Sequence, residues 1–256
     1  MSTMFTNQLP KTRAEQMVDA IGRDIVTGKL EPGAALPAEE ALLAQFGVSR
    51  TVLREALQVL AAKGMIESRQ KRGTFVTLPS KWHQLDPAVL SWHSQLSANA
   101  PVLLDLMEMR RLIEPAAASL AATRFSQEDK TRLARAYEGM ASAADRGDTE
   151  GFISADLDFH SAILLATHNR FLLPIVHAIR TTMLASLHLT NSRPEENNAI
   201  SLPLHKAILD AILVGDAAGA SAAMLTHLVD TEARRQRSAD QQEDGSSHRT
   251  KRVKRQ

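Results

Sequence analysis

From Leu36 to Val76 the chain reads LPAEEALLAQFGVSRTVLREALQVLAAKGMIESRQKRGTFV, and few folds accommodate that pattern. Leu42, Leu43 and Phe46 give one apolar side to a helix from about Ala38 to Phe46. Gly47 tolerates the left-handed backbone of a tight turn. Ser49 suits the N-cap of a second helix ending near Lys63, and Val48, Leu53, Leu57 and Leu60 form its matching face. Gly64 stops that helix. Met65 to Glu67 and Thr74 to Thr77 then read as short strands joined by the basic, glycine-tipped loop Ser68 to Gly73. A helix, tight turn, helix and hairpin in this order can set the second helix into the major groove of DNA and leave the hairpin to flank it.

Packing of this kind leaves Ser49, Arg50, Thr51 and Arg54 facing outward near the start of the second helix. Arg50 and Arg54 are four residues apart and share a face. Arginine bonds guanine O6 and N7 in bidentate fashion, while hydroxyl groups and a helix N-terminus hold phosphate. Lys71, Arg72 and Gly73 at the hairpin tip can approach the backbone or minor groove. Net charge does not argue for nucleic acid, since Lys and Arg total 30 against 29 Asp and Glu. The distribution does, because Lys63, Arg69, Lys71 and Arg72 gather near the hairpin with Arg50 and Arg54 just upstream.

Residues 1 to 10 lack periodicity and read as a flexible arm. Met17, Val18, Ile21 and Ile25 place a helix from Lys11 to about Thr27, closed by Gly28. Pro32, Gly33 and Pro37 hold the next segment out of helix. Residues 11–78 thus form one domain and 79–99 a linker, within which Pro87 to Leu96 suits a short helix packed between domains. From Pro101 onward the pattern is helical, near 101–124, 126–146, 149–167, 170–190, 197–214 and 216–237, punctuated by Gly147, Asn169, Asn191, Pro194 and Gly215. Asn169 reads as a cap. Residues 238–256 are polar, charged and aperiodic, as in a disordered basic tail. The fold class is mainly α, a winged helix-turn-helix followed by an all-α antiparallel bundle. An aromatic content of only 4% and many Ala and Leu residues agree, because those two lose little on entering a helix.

The chain has no cysteine, which excludes disulfides, thiol catalysis and thiolate ligands. No apolar run approaches the ~20 residues that span a bilayer. No signal-peptide stretch stands at the N-terminus. The expectation is a soluble, cytoplasmic protein with no membrane partner.

Nine histidines are present. His83, His93 and His248 fall in linker or tail, His168 abuts a helix end, and His177 and His188 suit a helix surface. Asp156 and His160 are one helical turn apart in ADLDFHSAIL and share a face. His205 and His227 sit in otherwise apolar helices, where an imidazole needs a partner. A carboxylate and three imidazoles from three helices can hold a first-row divalent metal with positions open to a ligand. Equally, buried histidines can simply be hydrogen-bonded, and spacing alone leaves both readings open.

The chain resembles the GntR family of bacterial transcription regulators. The resemblance covers about residues 11 to 77. It rests on Gly28-Lys29-Leu30-Glu31-Pro32-Gly33, Leu36-Pro37-Ala38-Glu39, the run Val48 to Leu57, and Arg69 to Val76. It implies DNA contacts from Ser49, Arg50, Thr51, Arg54 and the wing around Arg72 and Gly73. Some members carry a contacting arginine after L-P-A-E. Glu40 stands there in this chain, which removes a contact and alters base preference.

Residues 100 to 237 resemble the helical FCD effector domain of the FadR-type branch. Its metal-binding members carry D-x-x-x-H and then one histidine on each of two later helices, matched here by Asp156, His160, His205 and His227. The resemblance implies a divalent metal, zinc first, with nickel and manganese also suited. Glu108 to Pro115 resembles the first helix of that domain and implies an effector-facing Arg110 that clamps a carboxylate. The alternative is that Arg110 or Arg111 is surface charge or pairs with Glu114. The stretch WHQLDPAVLSW is similar to regulators of sugar-acid catabolism, galactonate-responsive repressors among them. Together these imply a homodimeric repressor on a palindromic operator, released by a small carboxylate effector. A metal-dependent hydrolase on the same four residues and an architectural DNA binder with a structural helical domain are the competing readings.

Overall fold

A computed structural model describes residues 10–93, 96, 101–190 and 194–253. The arm before residue 10, the Asn191 break and the side chains of His188 and His248 lie outside the described residues. The chain divides into two units, Met1–Leu96 and Ser97–Gln256.

In the first unit, helix α1 (Arg13–Val26) opens with a capping box. The Thr12 hydroxyl accepts from the Glu15 amide, and the Glu15 carboxylate accepts from that of Thr12. Met17, Val18, Ile21 and Ile25 form its buried stripe. Helix α2 (Glu39–Phe46) ends at Gly47, whose φ of 59° makes the turn. Helix α3 (Arg50–Ala62) starts at Ser49, whose hydroxyl accepts from the Val52 amide at 3.4 Å. Strands β1 (Ile66–Arg69) and β2 (Gly73–Val76) pair antiparallel, with Ile66 opposite Val76 and Arg69 opposite Gly73. The Pro-rich segment before α2 also lies along β2. Gly33 and Leu36 donate to the carbonyls of Val76 and Thr74 at 2.9 Å. Pro37 disfavours the helical region at Leu36, which keeps that residue out of α2.

The segment expected as a linker is in large part core of this unit. Trp82, Val89 and Trp92 are buried with Met17, Ile21 and Leu60. The short helix α4 (Pro87–His93) packs on α1 of the same unit. The Trp92 indole donates to Asp19 at 3.1 Å, and its ring lies so close to Gly22 that a Cβ there would sit 2.5 Å from it. The first unit therefore runs past residue 78 to Leu96. Two tryptophans spaced ten positions apart carry no helical or strand period, so their burial is not readable before α1 is in place.

The second unit holds α5 (Pro101–Arg124), α6 (Gln127–Asp145), α7 (Thr149–Ala166), a 3-10 turn at Arg170–Leu172, α8 (Leu173–Thr190), α9 (Pro194–Leu213) and α10 (Ala217–Val253). Each described start agrees with the expected one to within a few residues. Asn169 caps the 3-10 turn by accepting from the Phe171 amide. Helix α10 continues to Val253, through the polar stretch expected to be irregular. The core joins small residues such as Ala117, Ala118 and Ala121 to Leu133, Phe152, Phe159, Ile163 and Ile208. Each large apolar side chain buried in this way contributes about 1.5–3 kcal/mol. No described helix is long and apolar enough to cross a membrane.

Candidate metal centre and nucleic-acid interface

Asp156 and His160 stand one turn apart on α7, and both are buried. His205 on α9 and His227 on α10 are buried beside them. The three imidazoles offer ligand nitrogens within 4.8 Å of one another. Their ring centroids are 4.3 Å apart for His205 and His227 and 5.2 Å for His160 and His227. Asp156 Oδ1 lies 2.8 Å from His205 Nε2 and 3.4 Å from His160 Nε2. Phe159 closes one side, its ring set edge-on to His205 at 5.2 Å.

Hydrogen bonds on the far side of two rings set which nitrogen faces inward. His205 Nδ1 donates to the Ser201 carbonyl at 2.9 Å. His160 Nδ1 is hydrogen-bonded to Glu114 Oε2. With a proton kept on Nδ1 of each ring, loss of the proton that faces Asp156 would leave each Nε2 a lone pair for a cation. His160 Nε2 and His227 Nδ1 are buried with no hydrogen-bond partner, a costly state for a polar atom unless something else binds it. These donors fit a divalent metal. Neutral imidazole and carboxylate are its usual partners, and the four groups converge from three helices.

The neighbours of each group set its charge. Burial pushes His227 well below its ordinary value, and the His205 and His160 rings push it further, so its ring is neutral. Burial also disfavours the charged form of His160, but the Glu114 and Asp156 carboxylates outweigh it and raise the group to about 9. Burial penalises the Asp156 carboxylate, yet His205 and His160 hold it well below the usual range. Glu114 is likewise kept ionised against burial, down to about 2, by Arg110 and His160.

Arg110 is buried on α5, and its Nε donates to Glu114 Oε1. Of the sequence readings of Arg110, surface charge is excluded by its burial and the pairing with Glu114 is present. Glu114 itself was not among the expected site residues. The available signal was Arg110 and Glu114 four residues apart on a helix whose other buried residues are apolar.

In the first unit Ser49, Arg50, Thr51 and Arg54 are all exposed along the start of α3. Arg50 Nε stands 3.7 Å from Glu39, with both side chains largely in solvent. Glu40 is exposed in the first turn of α2. Lys71, Arg72 and Gly73 are exposed at the wing tip, Lys71 with a left-handed φ of 59°. Two of the expected basic residues are engaged internally. Lys63 binds both Asp86 oxygens at 2.7–2.8 Å. Arg69 pairs with Glu67 at 2.9 Å and stacks 4.4 Å above the Phe75 ring. The cationic surface is thus narrower than composition suggested, at the N-terminus of α3 and the wing tip.

Residues 13–76 match the family of bacterial regulatory proteins of the gntR type, and residues 105–230 match the FCD domain. The galactonate operon transcriptional repressor of Escherichia coli is 35% identical over 87% of this chain and 96% of its own length. The chain belongs to the GntR family. LutR of Bacillus subtilis, an HTH-type transcriptional regulator, is 32% identical over 81% of this chain and 94% of its own. The Glc operon transcriptional activator of E. coli is 33% identical over 78% and 79%.

As a GntR chain with an FCD domain, it is a DNA-binding transcription regulator and not an enzyme. The fold agrees with that of a solved Listeria monocytogenes protein, Lar, at a TM-score of 0.64 and 21% identity, covering 90% of this chain and 99% of that one. It also agrees with E. coli McbR/YncC at 0.52 and 20%, covering 89% and 99%. The GntR match ends at Val76, whereas the core of the first unit takes in Trp82, Val89 and Trp92.

Proposed function

We propose that this regulator acts as a cytoplasmic, homodimeric repressor whose grip on a palindromic operator is released by a small hydroxy or sugar acid held at a divalent metal in the FCD domain. The observation that carries the reading is the buried convergence of Asp156, His160, His205 and His227. The 35% identity to a galactonate operon repressor across nearly its whole length supports the effector class.

Asp156, His160, His205 and His227 would hold the ion, with zinc, nickel and manganese all suited to such donors. When bound, the metal supplies positions at which carboxylate and hydroxyl oxygens of the acid can chelate. Arg110 has N–H donors beyond the Nε given to Glu114, and these meet the effector carboxylate. Because α5, α7, α9 and α10 all contribute to this centre, an acid bound there favours one packing of those helices over another. That differential affinity is what makes the acid an effector.

In the first unit, Arg50 and Arg54 read base edges, while Ser49, Thr51 and the wing residues Lys71, Arg72 and Gly73 hold the backbone. The test is a thermal-shift screen of sugar acids, hydroxy acids and dicarboxylates with and without zinc, followed by operator titration with each hit. A metal-dependent hit that weakens operator binding is expected. Operator release that persists unchanged after His205 and His227 are both replaced by alanine rules the mechanism out.

A further inference from the structure

Glu114 belongs to α5, a helix that contributes none of the four metal donors, yet it touches the centre. It is 1% exposed. Its two oxygens are divided between two partners, Oε1 taking the Nε–H of Arg110 and Oε2 meeting His160 Nδ1. The opposite nitrogen of that ring, Nε2, is buried without a hydrogen-bond partner and stands 3.4 Å from Asp156 Oδ1. His205 is oriented differently, by the neutral carbonyl of Ser201.

We propose that Glu114 is the positioning residue of the metal centre, fixing His160 in the Nδ1–H form so that Nε2 is presented as a ligand. The proposal rests on the metal reading above. A carboxylate held against a guanidinium accepts and does not donate, so the imidazole proton must sit on Nδ1. An anionic acceptor also pulls that N–H bond and makes Nε2 a stronger donor than a carbonyl-bound imidazole would be. Arg110 in turn fixes the carboxylate, which makes Arg110, Glu114 and His160 a connected set from α5 to α7. Gln at position 114 would keep an oxygen for one partner but turn an amide N–H toward the other, donor against donor.

The experiment measures zinc affinity of the full chain by chelator competition for wild type, Glu114→Gln, Glu114→Ala and Glu114→Asp. Asp129→Asn serves as a control for loss of a buried carboxylate away from the centre. Helix content by circular dichroism accompanies each variant. Two further readouts are the absorption bands of the cobalt-loaded centre and the 15N shifts of His160, which report ligand field and tautomer. Glu114→Gln and Glu114→Ala are expected to weaken zinc about 10–100-fold, to shift the cobalt bands and to mix the His160 tautomers. Glu114→Asp should recover part of the loss, and Asp129→Asn should bind as wild type. If Glu114→Gln does not fold, the same comparison is read between wild type and Glu114→Asp. A wild type that binds zinc alongside variants of equal affinity and unchanged His160 tautomer overturns the proposal alone. A wild type that binds no divalent ion overturns the metal reading and the proposal with it.

Discussion

Asp156 on α7 and His205 on α9, 49 residues apart in the chain, meet at 2.8 Å through Oδ1 and Nε2. The contact joins two helices at the atoms suited to ligating a cation. It also places a buried carboxylate where removing either partner leaves the other without its counterpart, a loss that buried polar pairs tolerate poorly.

Zinc should therefore stabilise the protein only when this pair is intact. At a free concentration a hundred times its Kd, a ligand of the folded state adds about 2.7 kcal/mol, or roughly 5–10 °C in Tm for a protein of this size. Calorimetry of wild type is predicted to show that increment. Asp156→Asn and His205→Ala should show none, and an undiminished shift in either variant counts against their role as ligands.

The increment should also depend on pH in a stated direction. His160 is raised from its ordinary 6.5 to about 9. In the metal-free protein its stabilising contribution is complete below pH 6.5 and is lost as pH climbs through about 9. Zinc needs the lone pair that the extra proton occupies, so its apparent affinity rises over that same window. Melts at pH 6.5 and 9 with EDTA or with zinc are predicted to diverge, the EDTA curve falling and the zinc increment growing. An increment that shrinks toward pH 9 contradicts the assignment.

Operator binding should separate two classes of cation. Arg50→Ala and Arg54→Ala are predicted to cost about 1–3 kcal/mol each and to relax sequence preference, as loss of a base contact does. Lys71→Ala and Arg72→Ala should weaken all sequences alike and each reduce the salt slope by about 0.9. Fluorescence anisotropy on specific and random duplexes across a salt series measures both. Lys63→Ala removes a tie to Asp86 and not a DNA contact, so its salt slope should match that of wild type.

The segment after the wing should prove necessary for the first unit. Trp92→Ala empties a buried site and is predicted to cost about 3–5 kcal/mol. Gly22→Val forces a side chain into the Trp92 ring and should cost about 1–3 kcal/mol. A fragment ending at residue 78 is expected to unfold at lower urea than one ending at residue 96. Equal midpoints for the two fragments would restore the linker reading.

Much of the reader domain was legible because its signals are local. The glycine of the turn, the Ser49 cap and the apolar spacing of α3 each act within a few residues. The candidate ligands were suggested by spacing on one helix, Asp156 and His160, by the oddity of imidazoles in apolar helices, and by the family resemblance. That the other two histidines come to the same point required α9 and α10 to be packed.

Sequence alone determined the order of the helices, most of their ends though not that of α10, the wing and the family resemblance, since capping, period and turn chemistry depend on near neighbours. Tertiary structure decided the rest. It drew Trp82 and Trp92 into the first core, tied Lys63 to Asp86 and Arg69 to Glu67, and set Glu114 behind His160. The reason is physical. Burial and pairing are properties of neighbours in space, and a residue's partners 46 or 73 positions away leave no period in the chain for a local reading to detect.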